Sequence, residues 1–130
     1  MSALSDYGEK LILDWLMTTG SATRPTAWYL ALYTAAPADA GGGTEVSGNG
    51  YARQVVTMAA ATSPGGTTTS TDAQAFAAAG GNWGTITHVG LFDALTTGNL
   101  LWHGTITTNR VMNDGDTLTF AIADLDLTLG

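Results

Sequence analysis

Two β-prone runs joined by a short link dominate the pattern of this chain. Residues Trp83–Asp93 and Leu100–Thr107 are rich in branched and aromatic side chains, and Gly98-Asn99 lies in the link between them. This arrangement is typical of an antiparallel hairpin with a longer loop. Apolar side chains fall on both faces of each run, so we expect the hairpin to be central and covered on both sides.

Strict alternation predicts which side chains of the hairpin share a face. In the first run, Val89 and Leu91 share one face, and the opposite face carries Ile86, His88 and Phe92. In the second run, one face carries Leu100, Trp102 and Ile106, and the other carries Leu101, His103 and Thr105.

The N-terminal region predicts one amphipathic helix over residues 4–17. Ser5 is suited to cap it, and Asp6 and Glu9 fall in the first turn, where the helix dipole favours negative charge. Gly20 is a natural stop. The apolar stripe at helical spacing consists of Leu4, Gly8, Leu11, Ile12, Trp15 and Leu16. We favour packing of this stripe on the sheet of the same chain, and docking in a neighbouring subunit is the alternative.

The rest of the chain reads as short strands separated by glycine- and threonine-rich segments. Alternation predicts strands within 26–35, 51–60, 73–76, 118–122 and 125–129, with flexible loops at 38–50 and 62–72. The alternation changes phase at Ala123-Asp124, which indicates a bulge, a bend or a new strand. We therefore predict a single, mainly β domain over 1–130. Residues 26–129 would form an antiparallel β-sandwich or barrel of about six to eight short strands, preceded by the N-terminal helix.

Composition bears on the partners of the chain. Charged residues make up only 12% of it, whereas Ala, Gly and Thr make up nearly half. Small neutral residues suit surfaces that pack against a neighbour, although coding bias with loose loops would give the same composition. The net charge of −7 has the wrong sign for nucleic-acid binding. No apolar run approaches the ~20 residues of a membrane span, and the N-terminus lacks a secretion signal.

The sequence offers little for catalysis or metal binding. The chain has no cysteine and two histidines, His88 and His103, which with Asp93 are a conceivable zinc set. We favour a structural role for both histidines, because each lies in an apolar run. The segment Asn113–Asp116 is too short for a calcium loop and predicts a turn. We expect no enzymatic activity, metal, cofactor or small-molecule substrate.

Gly50, Tyr51 and Arg53 are the candidate residues for contact with a partner. They follow a glycine-rich segment, and Arg53 is one of only four cations. A guanidinium at this position could reach a carboxylate on a neighbouring protein. For Arg53 we weigh this against an internal ion pair, for example with Asp93 or Glu45, which we slightly favour.

Several blocks of the chain resemble a family of small virion proteins of tailed bacteriophages. The distinctive blocks are Gly50-Tyr-Ala-Arg-Gln54 and Thr87-His-Val-Gly-Leu-Phe-Asp93, and the similarity extends to Leu4–Leu16, Pro25–Pro37 and Gly98–Gly104. Members are often labelled tail fibre proteins, and others look like head decoration proteins. No catalytic residues are associated with the family.

The resemblance implies a virion structural protein made in the host bacterial cytoplasm. We expect a capsid decoration (cement) protein that binds the outer capsid surface and stabilises contacts between major capsid subunits. Its partners would then be the major capsid protein and copies of itself, and many weak contacts on a symmetric shell would add through multivalency. The alternative is a tail fibre, baseplate or receptor-binding tail component.

Overall fold

The computed structural model describes residues 2–129, so Met1 and Gly130 of the predicted domain lie outside the described residues. In this range the chain forms one helix and ten strands, in the order β1 (Ser2–Leu4), α1 (Asp6–Met17), β2 (Trp28–Ala35), β3 (Thr44–Glu45), β4 (Gln54–Val56), β5 (Thr67–Thr69), β6 (Gln74–Ala77), β7 (Gly84–Phe92), β8 (Leu100–Met112), β9 (Thr117–Phe120) and β10 (Asp126–Thr128).

The strands form one large sheet and two small ones, all antiparallel. The large sheet has the order β1-β8-β7-β2-β3, and β4 also pairs with β2. The small sheets are the pairs β10-β5 and β6-β9. The predicted mainly β, antiparallel fold with one N-terminal helix is therefore confirmed. The strands number ten rather than six to eight, because strands as short as β3 leave no readable alternation in the sequence.

The predicted hairpin is confirmed as β7 and β8, and it lies in the interior of the large sheet. Two of its side chains, Ile86 and Leu100, lie on the opposite face from the predicted one. Ile86 is fully buried in the same core as Leu91, because the pairing register shifts between Ile86 and His88. A second shift, between Leu91 and Phe92, places Leu100 opposite Phe92 and away from the face of Trp102. Each irregularity moves the side chains beyond it to the other face.

The main core lies between the large sheet and the two small sheets. Leu30, Leu32 and Leu91 from the large sheet pack in one cluster with Phe76 of β6 and Leu127 of β10. The opposite, outer face of the large sheet carries a smaller buried cluster, which consists of Ala31, Tyr33, Phe92 and Leu100. Both faces of the central strands are therefore covered.

Several predicted strands and loops differ in extent from the structure. The run 51–60 forms a strand only at Gln54–Val56, whereas parts of the predicted loops 38–50 and 62–72 pair as β3 and β5. The run 118–122 ends at Phe120. The phase change is a turn in which Ala123 has a φ of 68° and Asp124 accepts a hydrogen bond from the Ala121 amide at 2.8 Å. A new strand, β10, follows this turn.

The helix begins at Asp6 instead of Leu4 and ends at Met17, before Gly20. Ser5 caps it as predicted, because its hydroxyl accepts a hydrogen bond from the Gly8 amide at 3.1 Å. Leu4 belongs to β1 and pairs with Trp102. At the other end, the Thr18 hydroxyl donates to the Asp14 carbonyl at 2.7 Å. Within residues 2–129, no helix is both long enough and apolar enough to span a membrane.

The packing expected for the helical stripe holds only at its N-terminal end. Gly8 is the one buried residue of α1, and a Cβ atom there would lie 2.7 Å from the Leu101 carbonyl oxygen. Trp15, in contrast, leaves 66% of its surface exposed. The favoured prediction, that this stripe packs on the sheet of the same chain, therefore holds at Gly8, with Leu11 and Ile12 half-buried, and is wrong for Trp15 and Leu16, which are exposed.

The close approach at Gly8 generates a prediction. Gly8→Ala should lower the free energy of unfolding by about 1–3 kcal/mol, because its Cβ would press on backbone atoms that cannot yield without moving the helix. Helix propensity alone predicts the opposite sign, since Ala is favoured over Gly by about 1 kcal/mol. Urea unfolding measures the difference, and Gly20→Ala, in an exposed segment, is the control. A stabilised Gly8→Ala variant would contradict the packing described here.

Candidate partner-binding site

The outward edge of β2 determines where the candidate residues lie. β4 pairs with Trp28–Leu30 and β3 pairs with the other end of the strand, which leaves the backbone of Leu32 between them. The Leu32 carbonyl accepts a hydrogen bond from the Val46 amide at 2.9 Å. The Leu32 amide donates to the Tyr51 hydroxyl at 3.0 Å. A side chain thus completes a strand edge that would otherwise be open to pairing.

Tyr51 is held in place from two sides. Its ring packs edge-on against Trp83, with centroids 5.5 Å apart, and is stacked at 6.3 Å from Phe76. Its hydroxyl donates to Glu45 Oε1 at 2.9 Å. Burial raises the pKa of the Tyr51 phenol; the Leu32 hydrogen bond opposes the rise, and Glu45 adds to it. Tyr51 is therefore a neutral connector between the core and Glu45.

Arg53 lies at the centre of the site. Its Nε and Nη2 atoms donate to the two carboxylate oxygens of Glu45, each at 2.8 Å. Its Nη1 atom donates to the carbonyls of Ala94 and Thr97, also at 2.8 Å each. The guanidinium carbon lies 3.6 Å from the ring centroid of Phe92. We call this group, from Glu45 and Arg53 to Phe92 and the two carbonyls, the Arg53 cluster.

Electrostatics explains why this charge is tolerated where it lies. Arg53 is only 8% exposed, and burial by itself lowers the pKa of its guanidinium. The hydrogen bonds and the negative charge of Glu45 outweigh that effect, so the pKa is raised above its usual value. A bidentate carboxylate, two carbonyls and an aromatic face together satisfy the planar cation on its edges and on one face.

The loop between β7 and β8, whose backbone Arg53 binds at Ala94 and Thr97, is also closed by Asp93. Asp93 accepts hydrogen bonds from the amide and the side chain of Asn99, at 2.7 and 2.9 Å, and so closes the loop at its base. Gly98 has a φ of 75°, and a Cβ there would lie 2.6 Å from the Asp93 carboxylate. Residues 95–99 are exposed above this base.

A second exposed loop precedes Tyr51 in the sequence. Residues 47–50 are exposed, and the Asn49 carbonyl accepts hydrogen bonds from the Trp83 indole and the Ala79 amide, each at 3.0 Å. Gly50 has a φ of 78°, which suits glycine at this bend. We use the name loop surface for residues 47–50, which lie beside Trp83 at the start of β7, together with residues 95–99, which follow the other end of that strand. A buried side chain bonds the backbone of each loop: Trp83 donates to the Asn49 carbonyl, and Arg53 donates to the Thr97 carbonyl.

The three candidate residues take different positions at this site. Gly50 is exposed, Tyr51 is half-buried and Arg53 is buried. Of the two internal ion pairs considered for Arg53, the structure forms the one with Glu45, whereas Asp93 bonds Asn99. Sequence reasoning missed the contacts with Phe92 and with the two carbonyls. Direct contact of Gly50, Tyr51 and Arg53 with a partner stays a prediction.

The two histidines form separate contacts. The imidazole of His88 lies 2.7 Å from the Thr87 hydroxyl, and His103 Nε2 lies 2.7 Å from the Asp39 carboxylate. Within residues 2–129, no three His, Cys, Asp or Glu side chains are grouped so that they could hold a metal ion. The segment Asn113–Asp116 forms the predicted turn, in which the Asp116 carboxylate accepts a hydrogen bond from the Asn113 amide at 2.9 Å.

The Arg53 cluster predicts a strong dependence of stability on this one side chain. Arg53→Ala should lower the free energy of unfolding by about 2–4 kcal/mol, because it leaves the Glu45 carboxylate without its cation and two loop carbonyls without their donor. Arg53→Lys should recover only part of the loss, since an ammonium cannot make the bidentate pair. Urea unfolding is the measurement, with Lys10→Ala at an exposed ion pair as control. Equal stability of the wild type and Arg53→Ala would contradict the role described here.

The buried phenol of Tyr33 should make the free energy of unfolding depend on pH in the alkaline range. Burial, with a contribution from Glu45 and opposed by Arg53, raises the pKa of its phenol from 10.0 to about 12. The folded-state pKa exceeds the unfolded one, so this stabilisation is complete below pH 10 and is lost as the pH rises towards about 12. Tyr33→Phe cannot ionise and should show a shallower fall of the urea midpoint over that range. Tyr7→Phe, at an exposed position, should retain the wild-type profile; identical profiles for all three chains would contradict this assignment.

Comparison with known proteins identifies the family. The family model described as "Podophage GP4 fiber I protein gp80" matches residues 3–128. No curated protein matches the chain. The predicted resemblance to small tailed-phage virion proteins is therefore confirmed, and the family is one of phage structural proteins. Since the match spans nearly the whole length, this chain belongs to the family of the podophage GP4 fiber I protein gp80.

Proposed function

We propose that this chain is a non-catalytic structural subunit of a phage tail fibre, which binds neighbouring virion proteins through its loop surface. The family match over residues 3–128 is the observation that carries the proposal, because the family description names a fibre protein. The proposal assigns the chain to the tail, which was the alternative expected from sequence, and not to the capsid surface.

The architecture favours a compact fibre module over a shaft segment. Residues 2–129 form short antiparallel strands and one helix of 12 residues. A fibre shaft is built from a long coiled coil or from a stacked repeat, and both leave a sustained period in the sequence. A compact module would serve at an end or a junction of the fibre.

The loop surface is suited to binding because the residues that hold it in place are different from the residues that it exposes. Arg53 holds the 95–99 loop through backbone carbonyls, and Tyr51 and Trp83 hold the chain on either side of Gly50. Preorganised loops lose little conformational entropy when a partner binds. In this proposal Gly50 contacts the partner directly, whereas Tyr51 and Arg53 act from beneath the surface.

Capsid decoration is the second candidate. The compact fold and the composition rich in Ala, Gly and Thr would also suit a cement protein lying over joints between copies of the major capsid protein. The two candidates differ in where the protein is found on the virion, so location separates them.

Gold-labelled antibody against the purified chain, applied to intact virions and viewed by electron microscopy, tests the location. We expect gold on the tail and none on the head. Labelling over the capsid surface would reject the fibre assignment in favour of decoration, and a phage deleted for the gene controls for non-specific gold. Unchanged tolerance of heat and osmotic shock in that deletion phage would agree with the fibre assignment.

A pair of matched variants tests the loop surface. Leu95 is 51% exposed at the tip of the β7–β8 loop, and Ile122 is 65% exposed in the β9–β10 turn. Leu95→Asp should reduce incorporation into virions several-fold without changing the melting temperature, because it places a charge in the binding surface. Ile122→Asp should be incorporated normally. Equal incorporation of the two variants, measured by immunoblot of purified particles, would argue against this surface.

A further inference from the structure

A slot in the molecule separates two consecutive strands, β8 and β9. The turn Asn113–Asp116 joins these strands, yet β9 pairs with β6, whereas β8 pairs with β1 and β7. Consecutive strands with so short a connection ordinarily pair as a hairpin. Here the space between them is a slot of about 730 Å³, with β8 on one side and β9 and β10 on the other.

Strand edges form both walls of the slot. Successive side chains of a strand point to opposite faces, so a cavity against a face is lined by every second residue only. This slot is instead lined by every residue of 102–108, of 118–120 and of 124–128. It therefore runs along the edges of β8, β9 and β10, where the backbone N–H and C=O groups lie.

These edges are wholly or partly without a strand partner in the part of the chain that the structure describes. β9 pairs with β6 and β10 pairs with β5, so each has a second edge that is unpaired. β8 has β7 along one edge, and β1 covers its other edge only from Trp102 to Gly104. Beyond Gly104 that edge is open, and an open edge is where a sheet can add a further strand.

The strand β1 indicates the width of the slot. It pairs with β8 in antiparallel register, with Ser2 opposite Gly104, and it also lies against β10. At that end a single strand therefore lies between β8 and β10. The slot continues from there along residues 105–108, so an extended segment in line with β1 would have a strand edge on each side.

Apolar side chains form the floor of the slot. Leu30 and Leu91 of the large sheet are buried there, and Trp102, Ile106 and Phe120 are half-buried beside them. In a strand laid along the slot, every second side chain would point to this floor and the others to solvent. The segment that fits is therefore extended, with apolar residues at alternate positions.

The charge around the slot indicates which extended segments fit best. Among the described residues that line it, Asp124 and Asp126 are acidic and none is lysine or arginine. Asp124 is exposed, and within residues 2–129 it forms no ion pair. His103, which also lines the slot, bonds Asp39. A lysine or arginine beside the apolar positions of the segment would complement this rim.

A second copy of this chain does not supply such a segment. Its four cations are Lys10, Arg24, Arg53 and Arg110. Lys10 belongs to α1, Arg53 is buried and Arg110 belongs to β8, so each would have to leave its own fold. Arg24 precedes Pro25, which has no N–H to donate to a strand edge. The occupant is therefore a segment of a different protein.

We propose that the slot receives an extended, basic segment of a neighbouring virion protein, which adds a strand in line with β1. Backbone hydrogen bonds to the open edges give the affinity, and alternate apolar side chains on the floor give the specificity. The slot shares no residue with the loop surface, so it is a second contact of the chain. It requires a virion structural protein but not a location on the tail, and it is measured with the purified chain.

Short overlapping peptides that cover the other structural proteins of the same phage, and this chain itself, test the occupant. The full-length chain is applied to the peptides and detected with antibody, and the binders are labelled and measured in solution by fluorescence anisotropy. We expect binders that combine alternate apolar residues with lysine or arginine. Absence of any binder, or binding only to peptides of this chain, would overturn the proposal.

Methylation of backbone nitrogens in the best peptide tests strand addition. Successive N–H groups of a strand point to opposite edges, so methylating alternate residues removes the donors on one side. Each of the two alternate sets should weaken binding about tenfold or more, because the slot has an open edge on both sides. Binding that survives both sets would overturn strand addition, and loss with one set alone would overturn the two-sided slot.

A pair of matched variants tests the acidic rim. Asp124→Asn keeps an oxygen that can accept from the Ala121 amide but removes the charge, so it should weaken binding of the basic peptide about threefold. Asp14→Asn removes the same charge from α1 and should bind like the wild type. Equal weakening by the two variants would contradict a charge contact at the slot. Circular dichroism melting checks that both variants fold.

Discussion

The buried guanidinium of Arg53 is the interaction on which the outer half of this structure depends. A cation removed from water must be matched by acceptors with correct geometry, or the fold loses more than it gains. Here Glu45 supplies the charge, Ala94 and Thr97 supply carbonyls, and Phe92 supplies an aromatic face. These groups come from separate parts of the chain. Satisfying one side chain therefore fixes the glycine-rich segment and the β7–β8 loop relative to the large sheet.

Tyr51 performs the complementary task at the edge of the same sheet. Its hydroxyl accepts from the Leu32 amide and donates to Glu45, so the edge of β2 and the Arg53 cluster are joined through a single phenol. Its ring meanwhile belongs to the core with Phe76 and Trp83. Tyr51 therefore connects the core, the edge of β2 and the Arg53–Glu45 ion pair. A closed edge also leaves less backbone available for unintended pairing with other chains.

Features that depend on neighbouring residues were predictable from the sequence. The β7–β8 hairpin, the Ser5 cap and the turn at Asn113–Asp116 all follow from local patterns, and all three are present. Features that depend on distant pairing were not. The position of Ile86 depends on an irregular register with β8, which strict alternation cannot anticipate. The strand β5 forms because β10 lies beside it, although its own residues are three threonines.

The candidate site was predictable in part for the same reason. Scarcity of cations drew attention to Arg53, and Glu45 was one of two possible carboxylates, but choosing between them required the fold. Periodicity correctly indicated an amphipathic α1, yet it carried no information on where the sheet ends beneath the helix. Gly8 is the last buried residue of α1, and Trp15, two turns later, is exposed.

The way in which Arg53 holds the β7–β8 loop has a consequence for how this protein can diversify. Nη1 binds the backbone carbonyls of Ala94 and Thr97, which every amino acid possesses, and makes no demand on the side chains between them. Mutations at positions 95 and 96 can therefore accumulate without loosening the frame that presents them. Related phages could retain one scaffold while exchanging the chemistry shown at its tip.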